Sequence, residues 1–203
     1  MDQKDLKSLK LVGLVGKSGS GKDRFFSTVL APLGFTQIAL ADAVRVFSTI
    51  LFTRIYEGIE WNNESLVRIF PYIYYEMFTM NKSPLSRTIQ QYVGTELIKG
   101  KFDRDYWIKV IDPLVKERIS AGIKVAITDV RFQEEADYVR KNGGILIKMT
   151  GKSRYENESP LANHDSEKSI DLISCDLTDL EFMEALNIEK GKLDKQDKQG
   201  EER

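Results

Sequence analysis

The run Gly16-Lys17-Ser18-Gly19-Ser20-Gly21-Lys22 is the part of the chain whose residue types point most directly to chemistry. It matches the first seven positions of the phosphate-binding loop GxxxxGK(S/T), in which backbone amides and the lysine hold the phosphates of ATP. Glycines let the backbone approach a polyphosphate closely, and a helix that begins after the loop presents its positive end to the anion. The alternative is a glycine-rich turn without a ligand. The match predicts that residues 16–22 bind the phosphates of ATP.

The eighth position of this loop departs from the pattern. Asp23 stands where Ser or Thr normally binds Mg²⁺, so the metal must be held by a carboxylate, through water or by another residue. The alternative role for Asp23 is that of a first-turn acid that complements the helix dipole. The two roles are compatible, and Asp23 is a candidate metal ligand.

A second acid, Asp129, follows the apolar run 125–127 and is predicted to lie at the end of a central strand. Beside a phosphate loop this is the Walker B position, where a carboxylate binds metal or substrate. The alternative is a strand-ending Asp in a turn. Arg131 could meet a phosphate at the same edge, or form a surface ion pair with Glu134 or Glu135.

The long stretch 41–122 contains further candidates for ligand binding. Arg45, Arg87 and Arg104 could hold a second anion because guanidinium groups pair bidentately with phosphate, although a single arginine is more often solvated. Thirteen of the chain's twenty aromatic residues lie in this stretch. They could stack on a base or form the core of a subdomain, and the second role is the more common one. The stretch is too long for one crossover helix and predicts a helical subdomain, with Pro84 at a helix start.

Composition limits the remaining classes of function. The chain has 203 residues, 30 basic and 31 acidic, for a net charge of −1, so composition gives no support for nucleic-acid or anionic-membrane binding. One cysteine and one histidine cannot build a Cys/His zinc site or an internal disulfide, which favours a reducing compartment. No run approaches the roughly 20 apolar residues of a membrane span, and the first residues lack an apolar signal core. We expect a cytoplasmic protein.

Strand and helix patterns alternate along the chain and would position these residues. Strands are predicted over 9–15, 35–40, 124–128, 145–149 and 172–174, and helices over 23–30, 43–56, 134–142 and from 179. Thr178 and Glu181 have the spacing of a capping box at the start of the last helix. The alternation predicts an α/β fold, with a parallel sheet covered by helices on both faces and ligands at the carboxyl ends of its strands.

The second stretch outside this alternation, 151–170, is polar and without clean periodicity. It predicts a mobile loop or lid that carries Lys152 and Arg154. We expect a single domain over 1–188, followed by a tail over 189–203 that is too charged to offset its own ordering entropy and is therefore disordered.

Four sequence blocks together resemble the phage deoxynucleoside monophosphate kinases, P-loop kinases similar in fold to adenylate and thymidylate kinases. The blocks are GKSGSGKD, SRTIQQYVGTELIKGKFDRDYW, ITDVRFQEEAD and NHDSEKSID. The resemblance spans nearly the whole chain before the tail, and its specific parts are the GTE turn with Gln91 three residues before it, the FDRDYW block and the DVRF run. An Asp after the loop lysine is common in that family, which makes Asp23 part of the signature.

The resemblance implies a three-layer P-loop fold and the ATP- and Mg²⁺-dependent phosphorylation of a deoxynucleoside 5′-monophosphate. It implies ATP at residues 16–23. It implies that the residues around the monophosphate are Arg45, Arg87, Gln91, Arg104, Trp107, Asp129, Arg131 and Glu135. With Lys22, Asp129 and Arg131, a lid arginine, Arg154, would complete the catalytic groups. A phage protein of this kind would work in the host cytoplasm, without nucleic-acid or membrane partners, and the resemblance leaves room for a homodimer.

Two other readings stay open on the residues. A phosphomevalonate kinase of the animal type also uses a GKD phosphate loop, although the aromatic-rich stretch and the GTE block favour a nucleobase. A P-loop ATPase or nucleotide-sensing module would bind ATP without a small acceptor. Substrate-stimulated release of ADP distinguishes a kinase from such a module, and the acceptor that stimulates the release distinguishes the two kinases.

Overall fold

The computed structural model of the chain describes residues 3–58, 72, 75, 84–152 and 164–187. The predicted tail, Arg154 and the middle of the predicted lid lie outside these residues. The chain forms two compact units, which we call the first unit, Met1–Ile38 with Asp112–Arg203, and the second unit, Ala39–Ile111.

The first unit contains a five-stranded parallel sheet in the order β2-β3-β1-β4-β5. Its strands are β1 (Leu11–Val15), β2 (Phe35–Ile38), β3 (Lys124–Val130), β4 (Ile145–Lys148) and β5 (Leu177–Thr178). All residues of β1 are buried, as a central strand covered on both faces requires. The predicted α/β fold is confirmed.

The described residues also form α-helices before, between and after the strands in the sequence. In chain order they are α1 (Gln3–Ser8), α2 (Lys22–Phe25), α3 (Leu40–Gly58), α4 (Pro84–Gln91), α5 (Tyr106–Ser120), α6 (Gln133–Lys141), α7 (Asp165–Lys168) and α8 (Asp179–Ala185). Helix α2 continues through a π-helical turn, Phe26–Leu30, α4 continues as the π-helical segment Tyr92–Phe102, and α7 continues as the 3₁₀ turn Ser169–Leu172. No helix in these ranges is long and apolar enough to cross a membrane.

Helices α2 and α8 build the core on one face of the sheet. The rings of Phe25 and Phe182 meet edge to face at 6.0 Å between centroids, and both residues pack in a buried cluster with Leu14 and Ile147 from the strands. The predicted capping box begins α8, because the Thr178 hydroxyl accepts from the amide of Glu181 at 3.2 Å and the Glu181 carboxylate accepts from the amide of Thr178 at 2.7 Å. This prediction is confirmed.

The predicted strand at 172–174 is wrong. Leu172 ends a 3₁₀ turn and is 82% exposed. Pairing with β4 begins instead at a polar residue, since the Asp176 amide donates to the Leu146 carbonyl at 3.0 Å and the Asp176 carboxylate accepts from the Leu146 amide at 2.8 Å. The strand that follows has two residues, too few for an alternation that sequence could reveal.

The described residues of the second unit are helical through most of their length. Its core contains Trp107, whose indole N–H donates to the Gly94 carbonyl at 2.9 Å and whose ring meets Phe47 edge to face at 5.7 Å. A β-carbon at Gly94 would lie 3.1 Å from a methyl group of Val44. The glycine therefore allows the segment after α4 to approach α3 closely.

Candidate active site

The glycines of the loop between β1 and α2 are required by its backbone conformation and by its close contacts. Gly21, immediately before α2, has a φ of 94°, a left-handed conformation that favours glycine. A β-carbon on Gly16 would lie 2.6 Å from the Ser20 hydroxyl oxygen and 2.9 Å from Cβ of Met149. The motif glycines are thus explained by backbone conformation at one end of the loop and by close approach at the other.

Lys22 lies at the first residue of α2 and turns back across the loop. Its ammonium group donates to the carbonyl of Gly16 and, at 2.7 Å, to the carbonyl of Lys17. These contacts hold the lysine against the backbone that the motif assigns to phosphate binding.

The charged groups around Lys22 come from several elements of the first unit. Burial, and to a smaller extent the charge of Arg131, lowers the pKa of Lys22 to about 8. The carboxylates of Glu167, Asp129 and Asp23 act in the opposite direction. The structure therefore brings the predicted residues Asp23, Asp129 and Arg131 into electrostatic reach of the loop lysine.

Asp129 and Arg131 lie at the carboxyl end of β3, beside the end of β1 where the phosphate loop begins. Gly13 pairs with Ile127 and Val15 pairs with Val130, so β3 contains one more residue than β1 over this interval. Such an irregularity re-aims side chains at the end of a strand. It places Asp129 beside the last residue of β3 and Arg131 directly after it.

Two carboxylates beside the phosphate loop, Asp23 and Asp129, are candidates to hold a magnesium ion together with the phosphates of a nucleotide. Within the described residues no group of three or more His, Cys, Asp or Glu side chains is arranged to hold a metal. Mg²⁺ in phosphate-transfer sites characteristically takes one or two carboxylates together with phosphate oxygens and water. Asp23 and Asp129 fit that donor set.

Glu167 joins the phosphate loop to Arg131. One of its carboxylate oxygens accepts from the amide of Ser18 at 3.1 Å, and the other pairs with the Arg131 guanidinium. The ion pair that the structure describes for Arg131 is therefore with Glu167, and not with Glu134 or Glu135 as the surface alternative expected. Only 6% of Glu167 is exposed.

The side chain of Glu135 forms hydrogen bonds with the backbone of the turn after β3. Its carboxylate accepts from the amides of Arg131 at 2.8 Å and Phe132 at 3.1 Å, and the residue is buried. Glu135 thus holds the turn that carries Arg131. Its contact with a monophosphate stays a prediction.

The monophosphate candidates Arg45, Arg87, Gln91, Arg104 and Trp107 all lie in the second unit. Arg45 pairs with Asp42 at 2.7 Å, and its buried Nε has no hydrogen-bond partner within the described part of the chain. Arg87 and Gln91 lie four residues apart on α4 and are half-buried, whereas Arg104 is exposed. Trp107 is a core residue, so any effect of it on a substrate would pass through the backbone it supports.

Residues 63–179 match the family model of deoxynucleotide monophosphate kinases, and this match covers more than half of the chain. The chain belongs to this family. The kinase is also 29% identical over 160 residues to a protein of Acanthamoeba polyphaga mimivirus named "Putative deoxynucleotide monophosphate kinase". That similarity covers 68% of the kinase and 72% of the viral protein.

The match and the phosphate loop are separate observations. The matched residues begin at 63, well after the loop at 16–23, so the family assignment does not depend on the loop motif. The resemblance noted in the sequence is confirmed, and the kinase is a nucleotide monophosphate kinase.

Glu167 is the residue of this site that the sequence did not single out. It lies 149 residues from Ser18 and 36 from Arg131, and it belongs to a stretch predicted as a loop or lid. Residues 165–170 of that stretch are instead helical. A local signal did exist, because Glu167 lies in the NHDSEKSID block that carries part of the family resemblance.

Proposed function

We propose that the kinase transfers the γ-phosphoryl group of ATP to the 5′-phosphate of a deoxynucleoside monophosphate. An oxygen of the acceptor phosphate forms a bond to the γ-phosphorus, the bond from the γ-phosphorus to the bridging oxygen breaks, and ADP leaves with that oxygen. The products are a deoxynucleoside diphosphate and ADP. The observation that carries this proposal is a phosphate loop whose half-buried lysine is held against the loop backbone, in a chain whose family acts on deoxynucleotide monophosphates.

The first unit supplies the groups for the donor nucleotide. The loop at 16–23 offers backbone amides, and Lys22 offers a cation held against that backbone. A bound Mg²⁺ would be held by Asp23 and Asp129 and would supply positive charge to the phosphates. Arg131, which follows Asp129 by two residues, would add a guanidinium at the same edge.

The acceptor would be held by cationic and amide side chains of the second unit. The buried Nε of Arg45 lacks a partner among the described residues, and a buried donor left unsatisfied costs free energy. A phosphate oxygen would satisfy it. Arg87 and Gln91 share a helix face because they lie four residues apart, so one ligand can contact both of them.

Catalysis of this reaction needs alignment and charge more than proton transfer. The acceptor phosphate is already a nucleophile, so no strong general base is required. Two phosphate-bearing substrates repel each other, and cationic groups such as Lys22 and Arg131 offset that repulsion in a fixed geometry.

Water must be kept from the γ-phosphoryl group, since it would otherwise accept the group and waste ATP. Of the stretch 151–170, residues 165–170 are helical, so our candidate lid is the part that precedes them, with Arg154 as its predicted arginine. In the same way, 41–122 remains the predicted monophosphate-binding insertion.

An ADP-release assay with separate acceptors tests the proposal. Initial rates are measured with ATP and Mg²⁺ and with each common deoxynucleoside or nucleoside monophosphate, with phosphomevalonate, or with no acceptor. We expect ADP release to require a deoxynucleoside monophosphate. Release that is stimulated only by phosphomevalonate, or that is the same without any acceptor, would contradict it.

A further inference from the structure

The segment 164–172 contacts two parts of the candidate site in the first unit, the phosphate loop and the turn after β3 that contains Arg131. Besides the two contacts of Glu167, the Ser169 hydroxyl donates to the backbone carbonyl of Arg131 at 2.7 Å. The Asp171 carboxylate pairs with the Lys17 ammonium at 3.1 Å. One short segment therefore contacts the phosphate loop and the turn after β3 at the same time.

This segment is capped locally at its start and packs into the protein interior toward its end. At its start, His164 caps α7, because its Nδ1 accepts from the Ser166 amide at 3.2 Å and its carbonyl accepts from the Glu167 amide at 2.9 Å. Toward its end, Ile170 is 2% exposed and packs into the interior. Glu167 is thus carried on a fixed backbone.

The two oxygens of the Glu167 carboxylate have different partners. A buried carboxylate is tolerated only when it is paired and hydrogen-bonded, and here Arg131 and the Ser18 amide meet that need. A guanidinium is a rigid planar fork with five N–H donors. The contact of Glu167 with one guanidinium nitrogen of Arg131 therefore orients the remaining N–H donors of the group. Because the other oxygen of the same carboxylate accepts from the Ser18 amide, the guanidinium is also held in a fixed position relative to the phosphate loop.

We propose that Glu167 is a positioning residue for phosphoryl transfer, which aligns the Arg131 guanidinium with the phosphate loop through its simultaneous contacts with Arg131 and the Ser18 amide. This inference rests on the proposed function, because it takes Arg131 and the loop to be phosphate-binding groups.

The charge of Glu167 gives the inference a distinctive signature. A carboxylate beside phosphate-binding groups repels a nucleotide, so Glu167 opposes ground-state binding while it improves alignment. Damage to the loop would instead weaken binding and turnover together. A positioning role therefore predicts that neutralising Glu167 slows turnover without weakening nucleotide binding.

The test replaces Glu167 with its isostere and measures binding and turnover separately. For Glu167→Gln we expect kcat to fall about 10- to 100-fold, the range for misaligned reacting groups. The dissociation constant of ADP, measured by calorimetry, should stay the same or decrease. Asp165→Asn is the matched control, since it removes one charge from the exposed side of the same helix, and both values should stay near wild type.

A second pair of variants asks whether Glu167 acts through Arg131. Arg131→Met should itself slow turnover, and adding Glu167→Gln to it should lower kcat little further, because the group to be aligned is gone. An equal loss in both backgrounds would overturn the inference, as would a wild-type kcat in Glu167→Gln.

The fold of the variants is followed by thermal unfolding. If Glu167→Gln does not fold, Glu167→Asp keeps the charge but shortens the side chain, and we expect a reduced kcat with unimpaired ADP binding. Wild-type turnover in Glu167→Asp, or unfolding of both variants, would overturn the inference. A wild-type protein that releases no ADP with any monophosphate would overturn the proposed function instead.

Discussion

At the scale of single residues, local motifs specify the parts of the site that lie close together in sequence. Lys22 follows from the loop pattern and Asp23 from its place directly after the pattern's lysine, whereas Asp129 and Arg131 follow from an apolar strand that ends in polar residues. Glu167 does not follow from any such pattern, because its partners lie 149 and 36 residues away. Its role depends on the tertiary fold.

The loop lysine gives the first prediction. Lys22→Met should fold but lose roughly 100-fold or more in kcat, by analogy with the removal of one preorganised donor to transition-state charge. Turnover and thermal unfolding are measured together, with Lys10→Met, at an exposed position before β1, as the control. Near-normal turnover in a folded Lys22→Met protein would contradict the phosphate-loop assignment.

The second prediction concerns the two candidate metal ligands, Asp23 and Asp129. Two carboxylates near a polyphosphate repel it unless a cation lies between them, so Asp23→Asn and Asp129→Asn should each raise the Mg²⁺ concentration for half-maximal rate. Asp129→Asn should also lower the maximal rate. The measurement is a Mg²⁺ titration of initial rates at saturating substrates, with the exposed Asp137→Asn as control. Curves that superimpose on wild type would leave Asp23 as a helix-dipole residue.

At the scale of elements, the sequence predicts those with several turns or a long apolar run. The strands β1 to β4 and the helices α2, α3, α6 and α8 were all expected, with ends that differ by one to a few residues. The strand β5 was missed because its pairing begins at Asp176. The register irregularity in β3 also left no trace in the sequence, because it depends on the neighbouring strand.

The capping box of α8 gives a prediction at this scale. Thr178→Ala removes the hydroxyl that accepts from the Glu181 amide and should lower the free energy of unfolding by about 1 kcal/mol. Urea unfolding at neutral pH measures the change. Thr28→Ala is the control, since that hydroxyl donates to a carbonyl within the α2 region and alanine is favoured in helices. Equal effects would argue against a cap.

Glu181 makes the same cap sensitive to pH. Hydrogen bonds from the amide and hydroxyl of Thr178 lower the pKa of Glu181 below its ordinary value. The folded state therefore binds the Glu181 proton less readily than the unfolded state, so the stabilisation is present above pH 4.5 and is lost as the pH falls through the lowered pKa. Glu181→Gln should lose this part of the acid dependence in urea unfolding between pH 7 and pH 3. An unchanged acid limb would contradict the assignment.

At the scale of the whole molecule, the candidate groups divide between the two units. Those proposed for ATP, residues 16–23 and Asp129, belong to the first unit, whereas Arg45, Arg87 and Gln91, proposed for the acceptor, belong to the second. The stretch 41–122, where the alternation of strands and helices is interrupted in the sequence, includes most of the second unit. The sequence could not indicate which residues of that stretch are buried, and Trp107, a candidate for contact with the monophosphate, proves to be a core residue.

This division predicts separable effects on the two substrates. Arg87→Ala removes a guanidinium that we assign to the acceptor phosphate, so the KM for the monophosphate should rise about tenfold or more, while the KM for ATP changes little. Initial rates are measured by varying each substrate at saturation of the other. Arg54→Ala is the matched control, because this arginine is in the same unit, is highly exposed and pairs with Glu57 at 2.8 Å. Equal increases in both KM values for Arg87→Ala would mean that the arginine supports the fold or the ATP site, because a residue dedicated to the acceptor cannot weaken both substrates alike.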